Sequence, residues 1–192
     1  MIQPHEILIV AGLPRSGTSM TMKMLEAGGV PVLADHQRVA DEDNPKGYYE
    51  YERVKQLPAD TAWLPKAEGK VVKMVSMLLY DLPTDRHYKV IFMRRTMAEI
   101  LASQKKMLLR NNQDMIVDDV EMKELFEAHL QNIMAWLKQQ THLEILYVWY
   151  NDLLQHSDRE IIKLNNFLGG NLNTAAMQAV IDTTLYRNRA YG

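Results

Sequence analysis

The 192-residue chain contains no cysteine. Disulfides and thiolate metal sites are thereby excluded, and the absence agrees with a reducing compartment. It also lacks an excess of charge of either sign, with a formal net charge of -2 at pH 7. No broad cationic surface singles out nucleic acid as a partner, so an anion would have to be held by a local arrangement. No apolar run approaches the roughly 20 residues of a membrane-spanning helix. The opening MIQPHEILIVAG has too short an apolar stretch, and no basic lead, for a signal peptide. The expectation is a cytoplasmic protein without a membrane partner. Repeats and low-complexity tracts are missing as well.

What remains is globular material. Hydrophobic residues make up 47% and charged residues 24%, a balance that sets disorder aside. The length predicts one domain over 1–192, large enough for a sheet covered on both faces. Thirteen methionines read as fillers of irregular core gaps.

Four short runs rich in aliphatic and β-branched residues predict buried strands: Glu6–Ala11, Lys70–Val75, Tyr88–Met93 and Glu144–Trp149. Helical patterns lie between them, at Gly17–Ala27, Thr96–Arg110 and Asp119–Gln140. In the last, Met122, Leu125, Phe126, His129, Leu130, Ile133 and Leu137 recur at three- and four-residue steps. Strands alternating with helices predict a parallel sheet, which binds ligands at the carboxyl ends of its strands. Two polar or proline-containing stretches, Arg38–Gly47 and Gln56–Gly69, read as surface loops suited to acceptor recognition.

The strand EILIVAG runs straight into LPRSGTS and then an amphipathic helix. A tight turn in that context aims backbone N–H groups and the positive helix end at one point, which suits phosphate or sulfate. Gly12 and Gly17 permit close backbone approach, and Ser16, Thr18 and Ser19 add hydroxyls. An ATP or GTP loop would carry Lys after its last glycine. Here that position is Thr18, and the cation has moved back to Arg15. Nucleotide hydrolases also place a magnesium carboxylate at a strand end. The second and third strands run on to Ser76 and Arg94-Arg95 instead, so a metal-free anion transfer fits better.

The PRSGTS turn resembles the 5'-phosphosulfate loop of sulfotransferases that use 3'-phosphoadenosine 5'-phosphosulfate (PAPS). The third strand ends in MRRTMAEILAS, where Arg95 and Ser103 match the family's pair on the donor's 3'-phosphate. Glu99 stands where the family usually has Asp. A guanidinium fork plus a hydroxyl grips a dianion that ATP lacks. The segments DNPKGYYE, VWYNDLL with IIKLNNFLGG, and LYRNR resemble further stretches of bacterial members, so the resemblance covers nearly the whole chain. It implies a three-layer α/β/α P-loop sandwich around a central parallel sheet. It also implies sulfuryl transfer from PAPS, with PAP as product, to a small-molecule, glycan or peptide hydroxyl or amine. Arg15 would neutralise the leaving phosphate, Ser16, Gly17, Thr18 and Ser19 would cradle the phosphosulfate, and Lys73 would reach the transferring group.

Two departures stand out. The glycine-rich cofactor loop of the cytosolic enzymes is not evident, and Gly169-Gly170 reads as a helix end. Those enzymes also place a catalytic His two residues beyond a Lys at the end of the second strand, and here Lys73 is followed at that distance by Val75. Tyrosylprotein sulfotransferases draw a Glu base from the segment after the first helix. Laid without gaps from Arg15, that position falls on His36, with Asp35 and Glu50 as rivals. The other histidines, His5, His87, His129, His142 and His156, read as structural or exposed. Two alternatives stay open: a P-loop small-molecule or nucleotide kinase, and a PAP(S)-binding protein that has lost turnover.

Overall fold

The computed structural model describes residues 5–35, 47–110 and 118–181. Its centre is a sheet of four parallel strands in the order β2-β1-β3-β4, formed by β1 (Ile7–Gly12), β2 (Val71–Val75), β3 (Tyr88–Arg94) and β4 (Leu143–Trp149). Each of the four sequence runs forms its strand within a residue or so. β1 is buried at every position, as a central strand covered on both faces must be. That is why its pattern is a continuous apolar run rather than an alternation.

Alternate residues build two cores. Ile7, Ile9, Ala11, Val72, Met74, Val90 and Phe92 face α4 (Asp119–Leu137) through Ile133 and Leu137. Leu8, Val10, Val71, Ile91 and Met93 face α1 (Thr18–Ala27), α6 (Ser157–Phe167) and α7 (Thr174–Val180). Five methionines, Met22, Met24, Met74, Met93 and Met177, are buried in these cores as expected.

The stretch Gln56–Gly69 departs from its reading as a surface loop. It contains the short helix α2 (Leu64–Ala67) and inserts Leu57, Trp63, Leu64 and Ala67 into the α4-side core. Its prolines break regular structure, yet fully burying such large apolar side chains stabilises by about 1.5–3 kcal/mol each, so the segment packs inward. The Trp63 indole N–H donates to the Asp60 carbonyl at 3.0 Å, which lets the ring be buried without an orphaned donor. Of the other stretch, Arg38–Lys46 lies outside the described residues.

The strand order places the site. From β1 the chain crosses to β2 on one side, then returns past β1 to β3 on the other. The strand order reverses between β1 and β3, and open sheets of this kind bind ligands beyond the carboxyl ends of the strands at such a point. The turn after β1 and the segment after β3, where α3 (Met97–Arg110) begins, both lie there.

Candidate active site at the carboxyl edge of the sheet

The turn after β1 is braced from within. The Ser16 hydroxyl donates to the Leu13 carbonyl at 2.7 Å, and the Ser16 amide does so at 3.2 Å. Gly17 caps α1 with φ 98°, a left-handed conformation that glycine adopts without a side-chain clash. A Cβ there would stand 2.4 Å from Cδ2 of Tyr150, the first residue of α5 (Tyr150–Gln155). Arg15 is also left-handed, with φ 68°, at a cost of about 1–3 kcal/mol for a non-glycine residue. An Arg95 Nη1–H donates to the Arg15 carbonyl at 3.0 Å and helps to hold that conformation.

Arg95 is itself locked. Its Nε–H donates to Glu99 Oε2 at 2.9 Å, one helical turn on, and its guanidinium carbon lies 4.4 Å from the centre of the Tyr150 ring. The Asn151 amide donates to the other Glu99 oxygen at 3.1 Å. The Arg95 side chain is 8% exposed and that of Glu99 2%. The pair is desolvated but supported by further hydrogen bonds, as a buried ion pair must be. The Arg15 side chain reaches the same place, its Nε–H donating to the Ser103 hydroxyl at 2.9 Å. The chain therefore brings Arg15, Ser16, Gly17, Arg95 and Ser103 into one connected group, although 88 positions separate Arg15 from Ser103.

Thr18 and Ser19 open α1 at the edge of that group. On the β2 side, the Lys73 ammonium donates to the Tyr48 carbonyl, lies 3.5 Å from the Ser19 hydroxyl, and pairs with Glu50 Oε1 at 3.6 Å. Lys73 and Ser19 thus meet beside the turn after β1. Asp35 accepts the Glu52 amide at 2.7 Å and so caps the 3-10 turn Glu52–Gln56. His36 lies outside the described residues.

Sequence reasoning missed Tyr150 and Asn151, which close the site from the far edge. Both belong to VWYNDLL, whose apolar run marks a strand without revealing that its end turns back onto Gly17 and Glu99. It also placed His129 among the structural or exposed histidines. Its Nε2 lies 2.8 Å from the hydroxyl of Ser76, the residue after β2. Burial lowers the His129 pKa. The available signal was its place on the apolar stripe of α4, where a half-buried imidazole needs a partner.

A parallel sheet whose first strand runs through a tight glycine-containing turn into the first helix has the architecture of the P-loop α/β class. Within that class the chain matches the family described as the sulfotransferase domain over residues 5–189. The protein belongs to the sulfotransferase family. Among solved structures it is similar to mouse sulfotransferase SULT7A1 complexed with PAP, at 14% identity and a TM-score of 0.55. The similarity covers 97% of this chain and 67% of that one. It is also similar to retinol dehydratase in complex with retinol and PAP, at 17% identity and a TM-score of 0.53, over 96% of this chain and 65% of that one. These likenesses show the fold.

Proposed function

We propose that this protein transfers a sulfuryl group from PAPS to a hydroxyl or amine of a small molecule, glycan or peptide, releasing PAP. The observation that carries the reading is the union of two cationic clamps, Arg15 after β1 and Arg95 after β3, joined through Ser103 and the Arg15 carbonyl. A nucleotide with anionic groups on both the 5' and the 3' position of its ribose suits such a pair. Family membership and the PAP named in both similar structures point the same way.

In this reading the Gly17, Thr18 and Ser19 amides and hydroxyls hold the 5'-phosphosulfate at the positive end of α1, and Ser16 braces the turn from beneath. Arg15 meets the charge that develops on the departing phosphate, where a fixed cation lowers the barrier most. Arg95 and Ser103 hold the 3'-phosphate, with Glu99 keeping the guanidinium in place. Lys73, beside Ser19, reaches the transferring group. No residue is assigned to a metal. Thr18 in place of Lys after Gly17, with the family match, disfavours the kinase alternative. We place the protein in the cytoplasm as a single domain; no described helix is long and apolar enough to cross a membrane.

Thermal shift and calorimetry test the donor site. PAP should raise the melting temperature, because a ligand of the native state alone stabilises it, and ATP with magnesium should not. Ser103→Ala should weaken PAP by roughly 1.5–3 kcal/mol, the range for a hydrogen bond to a charged group, and weaken 5'-AMP far less. Arg95→Ala should weaken both, since Arg95 also steadies the Arg15 backbone. Stabilisation by ATP–magnesium in preference to PAP would return the kinase reading. PAP binding without turnover on any acceptor would leave a silent binder.

A further inference from the structure

In that reading the residues above bind and orient a donor; of the groups weighed as a base, His36 lies outside the described residues, and the others are not well placed to take a proton from a hydroxyl acceptor. Val75 carries no acceptor, Asp35 caps a turn, and Glu50 is paired with both Lys73 and Lys55. The carboxyl end of β2 holds a separate arrangement. Val75 stands opposite Gly12 in the ladder, so Ser76 comes beside the start of the phosphate turn. Ser76 is 1% exposed, and its hydroxyl lies 2.8 Å from His129 Nε2, contributed by α4 from 53 positions away.

The surroundings suit a neutral ring. Burial disfavours the imidazolium and lowers the His129 pKa, so the ring is uncharged at neutral pH. A serine oxygen that accepts from Nε2–H fixes the tautomer and leaves the lone pair on Nδ1. The groups facing the ring from the 3-10 turn Ser76–Asp81 are Ser76 and Tyr80, whose ring lies edge-on to the imidazole at 6.3 Å between centroids. The nearby surface is open and apolar: Met77 is 64% exposed, Tyr80 40%, and Leu125, one turn before His129 on the same face of α4, 55%. Exposed apolar side chains of this kind beside the polar pair would suit an acceptor with an apolar body.

We propose that His129, held at Nε2 by Ser76, is the general base for a hydroxyl acceptor carried on an apolar body. The proposal rests on the sulfuryl-transfer reading above. His129 Nδ1 takes the hydroxyl proton while the acceptor oxygen forms its bond to sulfur. The bond from sulfur to the bridging phosphate oxygen breaks, and its electron pair leaves on the phosphate of PAP beside Arg15. Ser76 acts only through His129 and is a positioning residue.

The test uses the full chain, PAPS as donor, and two phenols as probes: 2-naphthol, protonated at neutral pH, and pentafluorophenol, already ionised there. His129→Ala should lower kcat with 2-naphthol by about 10²–10⁴-fold, the usual share of a general base. With the ionised phenol the loss should be far smaller, and PAP affinity should stay unchanged. Ser76→Ala should show the same selectivity with a smaller loss. Nitrogen-15 NMR of the wild-type imidazole should find the proton on Nε2 and Nδ1 bare. If the alanine variant no longer binds PAP, His129→Asn takes its place. Equal losses with both phenols, full turnover without His129, or a protonated Nδ1 each overturn the base while leaving sulfuryl transfer standing. A wild type that binds no PAP overturns the underlying reading and the base with it, and one that binds PAP yet transfers to neither phenol overturns the proposed base and its apolar acceptor alone.

Discussion

Beyond β1 and β3 three polar side chains of the site are packed away from water, with Ser16 1%, Glu99 2% and Ser103 4% exposed. At the end of β2 and just past it exposed apolar side chains interleave with buried ones, with Val75 45% and Met77 64% exposed but Ser76 1% and Leu79 0%. The two regions share one edge of one sheet, yet they are built by opposite rules. A donor of fixed charge and shape can be met by a desolvated, cross-tied clamp, in which each dipole acts more strongly than it would in water. An acceptor surface, which is what we propose for the end of β2, would be left unfilled, and its energy realised only when something covers it. The first region should therefore carry fold stability as well as binding, and the second should carry little.

The largest expected effect tests that division directly. Glu99→Ala removes the carboxylate from a buried Arg95, and breaking a buried pair from one side costs about 3–5 kcal/mol. Met77→Ser, on the open side, should change stability by no more than about 0.5 kcal/mol. Urea unfolding of the two variants measures both. Comparable losses would mean that the two regions are equally structural and that the contrast is only one of exposure.

A smaller effect sharpens the donor side. Arg15→Ala should lower kcat by roughly 10²–10³-fold with a lesser effect on donor affinity, as for other charges fixed where the transition state develops its own. Steady-state kinetics at saturating PAPS separates the two. Loss of donor binding with kcat intact would make Arg15 a clamp alone, in keeping with its bond to Ser103 rather than with a role in bond breaking.

The same contrast explains what the sequence could reveal. The strands were legible because each is a short apolar run, and the phosphate turn because its chemistry is contiguous: glycine, cation and hydroxyls within Gly12–Ser19. Arg95 and Ser103 were legible as a spacing between a strand end and the helix that follows it. The links among these residues were not, because Arg15 meets Ser103, and Tyr150 meets Gly17, only after the sheet has formed. Trp63 was hidden by its prolines, which signal a loop whatever the loop does with its apolar side chains. His129 was hidden by its helix, whose periodicity says that it faces inward but not that Ser76 waits across the gap.

The smallest effect comes from two histidines kept neutral. His142, 7% exposed beside β4, has its pKa lowered by burial and then by His87, and its Nε2 has no hydrogen-bond partner among the described residues. His129 is lowered by burial alone. In the unfolded chain both titrate near 6.5. Above that value neither state binds the proton, and stability does not depend on either ring. As pH falls below about 6.5 the unfolded state takes up protons that the folded state refuses, so stability declines until the folded pKa values are reached. The slope cannot exceed about 1.4 kcal/mol per pH unit for each histidine, since each contributes at most one proton. Chemical denaturation at stepped pH should thus show a plateau above neutrality and a decline below it, and His142→Gln should remove part of that decline. A decline that is unchanged in His142→Gln would assign the acid sensitivity to His129 or to the carboxylates, and a rise in stability on acidification would contradict the neutral state of both rings.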